Sequence, residues 1–213
     1  MDDTKPKVVA VIVAHPDDET LWAGGTILSH PLWKWFIISL TRKSDENRAG
    51  KFYKALKILG AEGIMGDLDD GPEQKPLAEN ELDETILQLL PRVNYDLIIT
   101  HNPSGEYTRH LRHEETANAV ISLWNLGKIT TKELWTFAYE DGDKQYLPRA
   151  VRTDTLFEVL PDKTWQKKYH LITENYGFNK NSWEAETTPK EEAFNIYTNS
   201  VNAMHWFIKE RKL

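Results

Sequence analysis

One histidine and three acidic residues stand together at the end of the first apolar run of the sequence. The chain reads His-Pro-Asp-Asp-Glu at 15–19, directly after seven apolar residues at 8–14. An imidazole and a carboxylate three residues apart, such as His15 and Asp18, can converge on one divalent cation. A neighbouring carboxylate could then take a proton from a water molecule on that cation. The three acids are also residue types that begin helices, so a structural capping role stays open.

A second group of histidines follows a later apolar run at 95–100. His101 comes directly after this run, and His110 and His113 come at the predicted start of a helix. Histidines three residues apart share a helix face, so these last two can point into one crevice. If the two apolar runs are adjacent strands, His113 can complete a His–Asp–His set, and three protein ligands with an open fourth position are typical of catalytic zinc. We assign His101 a structural role, and His110 and His113 could alternatively be surface residues paired with the glutamates that follow them.

The surrounding pattern predicts the elements that would bring these groups together. The continuous apolar run at 8–14 predicts a buried parallel strand, and further runs predict strands at 35–40, 95–100, 134–139 and 155–160. Apolar residues at helical spacing predict helices at 48–60, 82–90 and 114–126. This alternation predicts an α/β fold with a mostly parallel sheet and helices on both faces, in which ligands bind at the carboxyl ends of the strands.

The 213 residues fit one domain, and no segment is rich enough in Pro, Gly or Ser to mark a linker. We therefore predict a single domain over 1–213. Its core covers about 7–140, and a C-terminal strand and helices follow at about 150–210, with a closing helix within 190–209.

The composition excludes several classes of protein. The formal charge is −7, with 26 Lys and Arg against 33 Asp and Glu, so we expect no nucleic-acid partner. The absence of cysteine excludes disulfides, thiolate nucleophiles and Cys-ligated zinc. No apolar run approaches the ~20 residues of a membrane span. We expect a cytoplasmic protein without a membrane span, and a homo-oligomer is compatible with the sequence.

The two groups of residues resemble the PIG-L/LmbE-like family of zinc-dependent N-acetylglucosaminyl deacetylases and amidases. The motif that carries the resemblance is Ala-His-Pro-Asp-Asp-Glu at 14–19, followed by His-x-x-His at 110–113. Arg48 supports it, since it opens a helix that closes on Leu-Gly. The resemblance covers about the first 140 residues. It implies a Rossmann-like fold and an enzyme that removes an acetyl or related acyl group from the amide nitrogen of an N-acetylglucosamine-type sugar or conjugate.

The resemblance also implies a role for each matching residue. The matches to the zinc ligands are His15, Asp18 and His113. Asp17 matches the general base that activates a metal-bound water. His110 matches the residue that stabilises the oxyanion or assists the leaving amine. The metal would be Zn²⁺, although another divalent ion such as Fe²⁺ is compatible with the same ligands.

Three further residues are expected to bind substrate: Arg48, Tyr107 and Arg109. Arg48 matches a substrate contact of the family, whereas Tyr107 lies one residue further from the histidine than the tyrosine of some members. Arg109 and Arg112 bracket His110, and Arg42, Lys43 and Arg48 follow the second strand. This pattern favours an anionic substrate, such as a phosphorylated sugar, because arginine suits phosphate. Such charges could equally be a solvated surface.

The second motif departs from the family pattern at one position. Arg112 stands where the family commonly has an acid or an amide that could orient the first histidine. An arginine cannot accept a hydrogen bond, and its charge would lower the pKa of His110. Two alternatives to a deacetylase of this kind therefore stay open. One is an amidase on a different small amide or a thiol–sugar conjugate, and the other is a sugar-binding protein with a disabled site.

Overall fold

A seven-stranded sheet forms the centre of the molecule, in a computed structural model that describes residues 5–78, 80–153 and 155–210. The termini of the predicted domain, 1–4 and 211–213, lie outside the described residues. The sheet strands are β1 (Val8–Val13), β2 (Lys34–Thr41), β3 (Glu62–Leu68), β4 (Tyr95–Thr100), β5 (Thr131–Phe137), β8 (Leu156–Val159) and β9 (Glu191–Tyr197). A two-residue ribbon pairs β6 (Tyr139–Glu140) with β7 (Arg149–Ala150).

Seven helices connect and cover the strands within the described ranges: α1 (Asp18–Ser29), α2 (Glu46–Leu59), α3 (Glu81–Leu89), α4 (Leu111–Asn125), α5 (Asp162–His170), α6 (Trp183–Thr187) and α7 (Ser200–Glu210). A π-helical turn, Leu171–Asn175, continues α5. None of the helices in the described part of the chain is long and apolar enough to cross a bilayer.

The strand order is β3-β2-β1-β4-β5-β9-β8. The first five strands run parallel, whereas β9 and β8 are antiparallel to their neighbours. The chain moves outward from β1 to β3 and then returns to place β4 on the other side of β1. Because the order reverses between β1 and β4, a crevice opens at the carboxyl ends of these two strands, which is where open α/β sheets bind ligands.

Both faces of the sheet are covered, which explains why the first strand is continuously apolar. Val9, Val11 and Val13 pack against α1 and α2 on one face, and Ala10 and Ile12 pack on the face of α3 and α4. All five side chains are fully buried. Burial of a Val or Ile side chain contributes about 1.5–3 kcal/mol, so this strand is a firm base for the residues that follow it.

The predicted mostly parallel α/β sheet with helices on both faces is confirmed, but several strands differ from the sequence analysis, and the run at 134–139 is divided between β5 and β6. The strand β3 was not predicted, because two glycines interrupt its apolar pattern. A Cβ atom on Gly63 would lie 2.2 Å from the carbonyl oxygen of Ile37, so the close strand contact requires glycine there. The segment 190–209 contains the expected closing helix only from Ser200 onward. Its first part is β9, whose Ala193 and Phe194 are buried in the sheet by tertiary pairing that overrides local preference.

Candidate active site

The crevice between β1 and β4 gathers side chains from three strand ends. Ile12 pairs with Thr100 across these neighbouring strands, so the residues that follow each strand emerge at the same edge. The Thr100 hydroxyl donates to the Ile12 carbonyl at 2.8 Å and fixes this register. His15 follows β1, and His101 follows β4. Asp70, which follows β3, also reaches this edge.

Three ligand-type atoms converge at the centre of the crevice. His15 Nδ1 lies 3.0 Å from Asp18 Oδ2 and 3.1 Å from His113 Nε2, and the last two atoms are 3.4 Å apart. Ligands bound at about 2.0–2.1 Å around a tetrahedral zinc stand roughly 3.3 Å from one another. The spacing of the three atoms therefore fits one small divalent cation. His110 also offers a nitrogen within 4.8 Å of His15 and His113.

The outer nitrogens of both imidazoles are held by carboxylates. His113 Nδ1 lies 2.6 Å from Glu106 Oε2, and His15 Nε2 lies 3.1 Å from Asp70 Oδ1. An ionised carboxylate only accepts hydrogen bonds, so these outer nitrogens carry the protons and the inner nitrogens present lone pairs. Two lone pairs and the Asp18 carboxylate thus face one point. This donor set suits a cation.

The electrostatics of the cluster agree with that arrangement. Burial alone would lower the pKa of His15 and of His113, yet the negative charge of Asp18 helps raise both. Burial would raise the pKa of Asp18, but His113 and His15 hold it well below its usual range. The point between the three side chains therefore attracts positive charge, which a proton or a metal ion can supply.

Glu106 connects two histidines at the base of the cluster. Its carboxylate accepts from Nδ1 of His113 and, at 3.1 Å, from Nδ1 of His101, and its other oxygen accepts the Asn102 backbone N–H at 2.8 Å. Burial would raise the pKa of Glu106, but the two imidazoles lower it to about 2. Nε2 of His101 accepts the backbone N–H of Ala14 at 3.0 Å. The lone pair of His101 is thus used by the backbone, although its ring stacks on His113.

Asp17 lies beside the three converging atoms, but its carboxylate bonds Arg48 rather than the histidines. It occupies the N-cap position of α1, yet its side chain makes no capping hydrogen bond. Its Oδ2 instead accepts from Arg48 Nη1 at 2.9 Å. Burial, together with the charge of Asp18, raises the pKa of Asp17 to about 7 in spite of Arg48. Its backbone φ of 135° is rare outside glycine, and such strain is common at functional sites. Capping by its side chain is therefore not the role of Asp17.

His110 and His113 both point into the crevice, with ring centroids 4.3 Å apart. His113 is 1% exposed and bonds Glu106, so it is not a surface residue paired with the following glutamates. His110 Nδ1 is buried and has no hydrogen-bond partner among the described residues. Burial lowers the pKa of His110 to about 3, and the charges of His113 and His15 act in the same direction.

The guanidinium of Arg112 bonds residues other than His110, whose pKa the motif led us to expect it to lower. Arg112 is fully buried, and its guanidinium bonds Glu115 and, at 2.9 Å, the Lys75 carbonyl. The low pKa of His110 thus arises from burial and neighbouring imidazoles rather than from this arginine. The departure from the family pattern consequently gives no structural reason to regard the site as disabled.

A cavity of about 820 Å³ opens above the cluster. Arg48 and Tyr107, two of the three expected substrate contacts, lie in its wall together with His15, Asp17 and His110. Arg109, the third, lies outside this cavity. Its side chain is 77% exposed, pairs with Glu114 at 2.6 Å and lines a separate cavity of about 830 Å³. The structure therefore places Arg109 outside the cavity above the cluster, and among the described residues only Tyr107 lines both cavities.

Four residues of the site were not selected from the sequence: Asp70, Glu106, Trp183 and Glu184. A signal existed for Asp70, because it belongs to an acid-rich segment at 67–70 and would follow β3 if that strand were recognised. His101, which the sequence analysis assigned a structural role, also follows a buried strand directly, as His15 does. Trp183 and Glu184 lie far along the chain in α6, and their position depends on how the C-terminal segment returns to the crevice.

The fold and the converging ligand set define a Rossmann-like α/β protein with a candidate cation site at its topological switch point. The chain belongs to the GlcNAc-PI de-N-acetylase family, PIG-L, whose profile matches residues 10–124. The matched range contains both histidine motifs and covers more than half of the chain. The predicted family resemblance is confirmed.

Two relatives in sequence match over a large part of the chain. An uncharacterised protein of Acanthamoeba polyphaga mimivirus is 24% identical over 177 residues, which are 76% of this chain and 75% of that protein. The 1D-myo-inositol 2-acetamido-2-deoxy-alpha-D-glucopyranoside deacetylase of Corynebacterium diphtheriae is 26% identical over 161 residues. That match covers 58% of this chain and 55% of the deacetylase, so the chain spans about half the length of that enzyme.

Solved structures share the fold at low sequence identity. The N,N'-diacetylchitobiose deacetylase of Pyrococcus horikoshii has a TM-score of 0.69 at 15% identity, covering 94% of this chain and 85% of that one. A 4-carboxy-2-hydroxymuconate hydratase of Pseudomonas putida has a TM-score of 0.60 at 18% identity, covering 85% of this chain and 83% of that one. One fold thus serves two reactions, and the reaction must be argued from the site.

Proposed function

We propose that this chain is a zinc-dependent N-deacetylase that removes the acetyl group from an N-acetylglucosamine-type sugar or conjugate. The observation that carries the proposal is the convergence of two imidazole lone pairs and one carboxylate on a single point, with a further carboxylate beside it in an open cavity. Membership of the PIG-L family and the deacetylase activities of two similar proteins support the same reaction class.

His15, Asp18 and His113 would hold the metal ion. Their atoms stand 3.0–3.4 Å apart, and carboxylates fix the tautomers of both histidines. A divalent cation at such a site polarises the amide carbonyl and lowers the pKa of a water molecule toward ~7. Zinc suits two imidazoles and one carboxylate, and iron(II) would suit the same set.

Asp17 would act as the general base and then as the acid. Its carboxylate lies in the cavity wall next to the ligand set but is bonded to Arg48 rather than to the histidines. In this position it can take a proton from the attacking water and return it to the departing amine nitrogen. Arg48 would hold the carboxylate in one orientation, because its guanidinium donates to Oδ2 at 2.9 Å.

His110 would stabilise the charge that develops on the former carbonyl oxygen. Its ring stands in the cavity wall against His15 and His113, with centroid distances of 4.7 and 4.3 Å. A neutral imidazole here can donate one N–H to an oxyanion, which is an interaction that strengthens in the transition state. Tyr107 packs against His110 with a centroid distance of 5.8 Å and would limit where the sugar can lie.

The test is an Asp17→Asn variant, compared with Asp83→Asn on helix α3 as a matched control. Purified proteins are loaded with zinc, zinc content is measured by elemental analysis, and acetate release from simple N-acetylglucosamine derivatives is followed. We expect Asp17→Asn to keep its zinc and to lose turnover by about 10²–10⁴-fold, the usual contribution of a general base. Full activity of the metal-loaded Asp17→Asn protein would remove Asp17 from the mechanism.

A further inference from the structure

The charges in the cavity wall are unevenly distributed. Two arginines line the cavity, Arg42 and Arg48, against seven carboxylates: Asp17, Asp18, Asp45, Asp67, Asp69, Asp70 and Glu184. The wall thus carries a formal excess of five negative charges. A divalent cation on the central ligands would still leave three. This distribution does not favour the anionic substrate expected from the arginines in the sequence.

Both arginines are already paired with carboxylates of the same wall. Arg42 Nη2 lies 2.6 Å from Asp70 Oδ2, and Arg48 Nη1 lies 2.9 Å from Asp17 Oδ2. Asp70 is at the same time bonded to His15, so these two ion pairs belong to the support of the central site. Neither guanidinium is left as an unpaired positive charge for a phosphate or a carboxylate on the substrate.

The outer part of the wall holds carboxylates that lack such a partner. Glu184 and Asp69 make no side-chain hydrogen bond or ion pair with any described residue, and both line the cavity. The charge of Glu184 nevertheless acts on its surroundings, since it contributes to the raised pKa of Arg48 and of Tyr107. Glu184 therefore faces the space above the reaction site with unused hydrogen-bonding capacity.

An aromatic ring lies next to this carboxylate. Trp183 lines the cavity, is 37% exposed and meets Tyr107 edge to face at a centroid distance of 4.7 Å. An exposed indole beside a carboxylate can cover a sugar ring while the carboxylate binds its polar groups, and an indole face also attracts cations. Both residues lie in α6, outside the 10–124 range that matches the family.

We propose that Trp183 and Glu184 select a positively charged substrate, namely an N-acetylated sugar conjugate whose neighbouring ring carries a free amino group. This inference rests on the proposed deacetylase function and adds the charge class of the substrate. Trp183 covers the neighbouring ring, and Glu184 binds its ammonium group. The remaining acidic residues of the outer wall attract the cation and disfavour an anionic ring at the same place.

The experiment compares three disaccharides whose neighbouring ring differs from glucose at one substituent at most and is cationic, neutral or anionic: glucosaminyl-, glucosyl- and glucuronosyl-N-acetylglucosamine. Acetate release is measured with zinc-loaded protein at low and high salt. We expect kcat/KM to fall from the cationic through the neutral to the anionic disaccharide, by about tenfold overall at low salt. We also expect salt to reduce these ratios, because screening weakens exposed charge interactions.

Glu184→Gln tests the assigned residue, with Glu62→Gln on the far edge strand as the matched control. Glu62 is exposed and does not line the cavity. Glu184→Gln should lower the cationic-to-neutral ratio of kcat/KM by up to about fivefold, the range of a solvent-exposed ion pair. Glu62→Gln should keep the ratio.

Two results would overturn the charge assignment and leave the deacetylase function standing. One is a preference for the anionic disaccharide. The other is an unchanged cationic-to-neutral ratio of kcat/KM in Glu184→Gln while the neutral disaccharide is still hydrolysed. No acetate from any disaccharide with zinc-loaded protein would overturn both.

Discussion

The substitution Glu106→Gln tests whether the carboxylate at the base of the cluster controls metal binding. One oxygen of Glu106 accepts from the Nδ1 atoms of His113 and His101, and the other accepts the Asn102 N–H. A glutamine has one accepting oxygen and one donating nitrogen. In one orientation the NH2 group of the glutamine faces the backbone N–H of Asn102, so that two donors oppose each other. In the other orientation the NH2 group faces Nδ1 of His113. This nitrogen must then accept a hydrogen bond, so the proton of His113 moves to the inner nitrogen, Nε2.

The size of the effect follows from the mismatch. A buried donor left without an acceptor costs about 1–3 kcal/mol. If this cost falls on the His113 tautomer that can bind a metal ion, metal affinity falls by roughly 5- to 140-fold. Loss of a carboxylate behind a ligating histidine usually costs 10–100-fold in metal affinity. We therefore expect zinc affinity to fall about 10- to 100-fold, measured by competition with a chelator of known affinity.

Glu192→Gln is the matched control for that measurement. Glu192 is also fully buried, and it accepts the N–H groups of Gly25 and Thr26 and pairs with Lys168. This substitution should lower the free energy of unfolding but leave zinc affinity of the folded protein unchanged. Equal zinc affinity in Glu106→Gln and the unmodified protein would refute the role of Glu106. A parallel loss in Glu192→Gln would show that the effect is a general consequence of reduced stability.

Two further predictions concern stability and can be checked by denaturant unfolding. Gly63→Ala should lower the free energy of unfolding by about 1–3 kcal/mol, because the new Cβ would lie 2.2 Å from a backbone oxygen. Gly50→Ala is the control in α2: a Cβ there has nothing within 4 Å, so the substitution should raise the free energy of unfolding by about 0.5–1 kcal/mol. The opposite order of the two variants would contradict the close strand contact at Gly63. Burial raises the pKa of Tyr95 to about 12, so the unfolded chain loses this proton first and stability should decline between about pH 10 and pH 12. Tyr95→Phe should lose less stability over that interval, and an identical pH dependence would contradict the assignment.

The sequence predicted the parts of the fold and site that depend on local pattern. His15 and Asp18 could be paired from the sequence because they share one turn directly after a continuous apolar strand. His113 could be added because the run at 95–100 has the same character as the first run, and adjacent parallel strands end at one edge. The mostly parallel sheet followed from the alternation of such runs with amphipathic helices.

The remaining residues depend on contacts that no local pattern encodes. Asp70 reaches His15 only because β3, with its interrupting glycines, is held in the sheet by β2. The sequence analysis assigned His101 a structural role, but its bonds to the Ala14 N–H and to Glu106 join separate parts of the chain and could not be predicted locally. The family resemblance covers only about the first 140 residues, yet the C-terminal segment brings Trp183 and Glu184 back to the cavity.

Diffraction at the zinc absorption edge, from crystals of the zinc-loaded protein, tests the central assignment most directly. The account predicts one anomalous peak per chain, at about 2.0–2.2 Å from His15 Nδ1, Asp18 Oδ2 and His113 Nε2, with the Asp17 carboxylate beside it but not bound. A peak held by other residues, or no peak at the three converging atoms in protein that releases acetate, would contradict it.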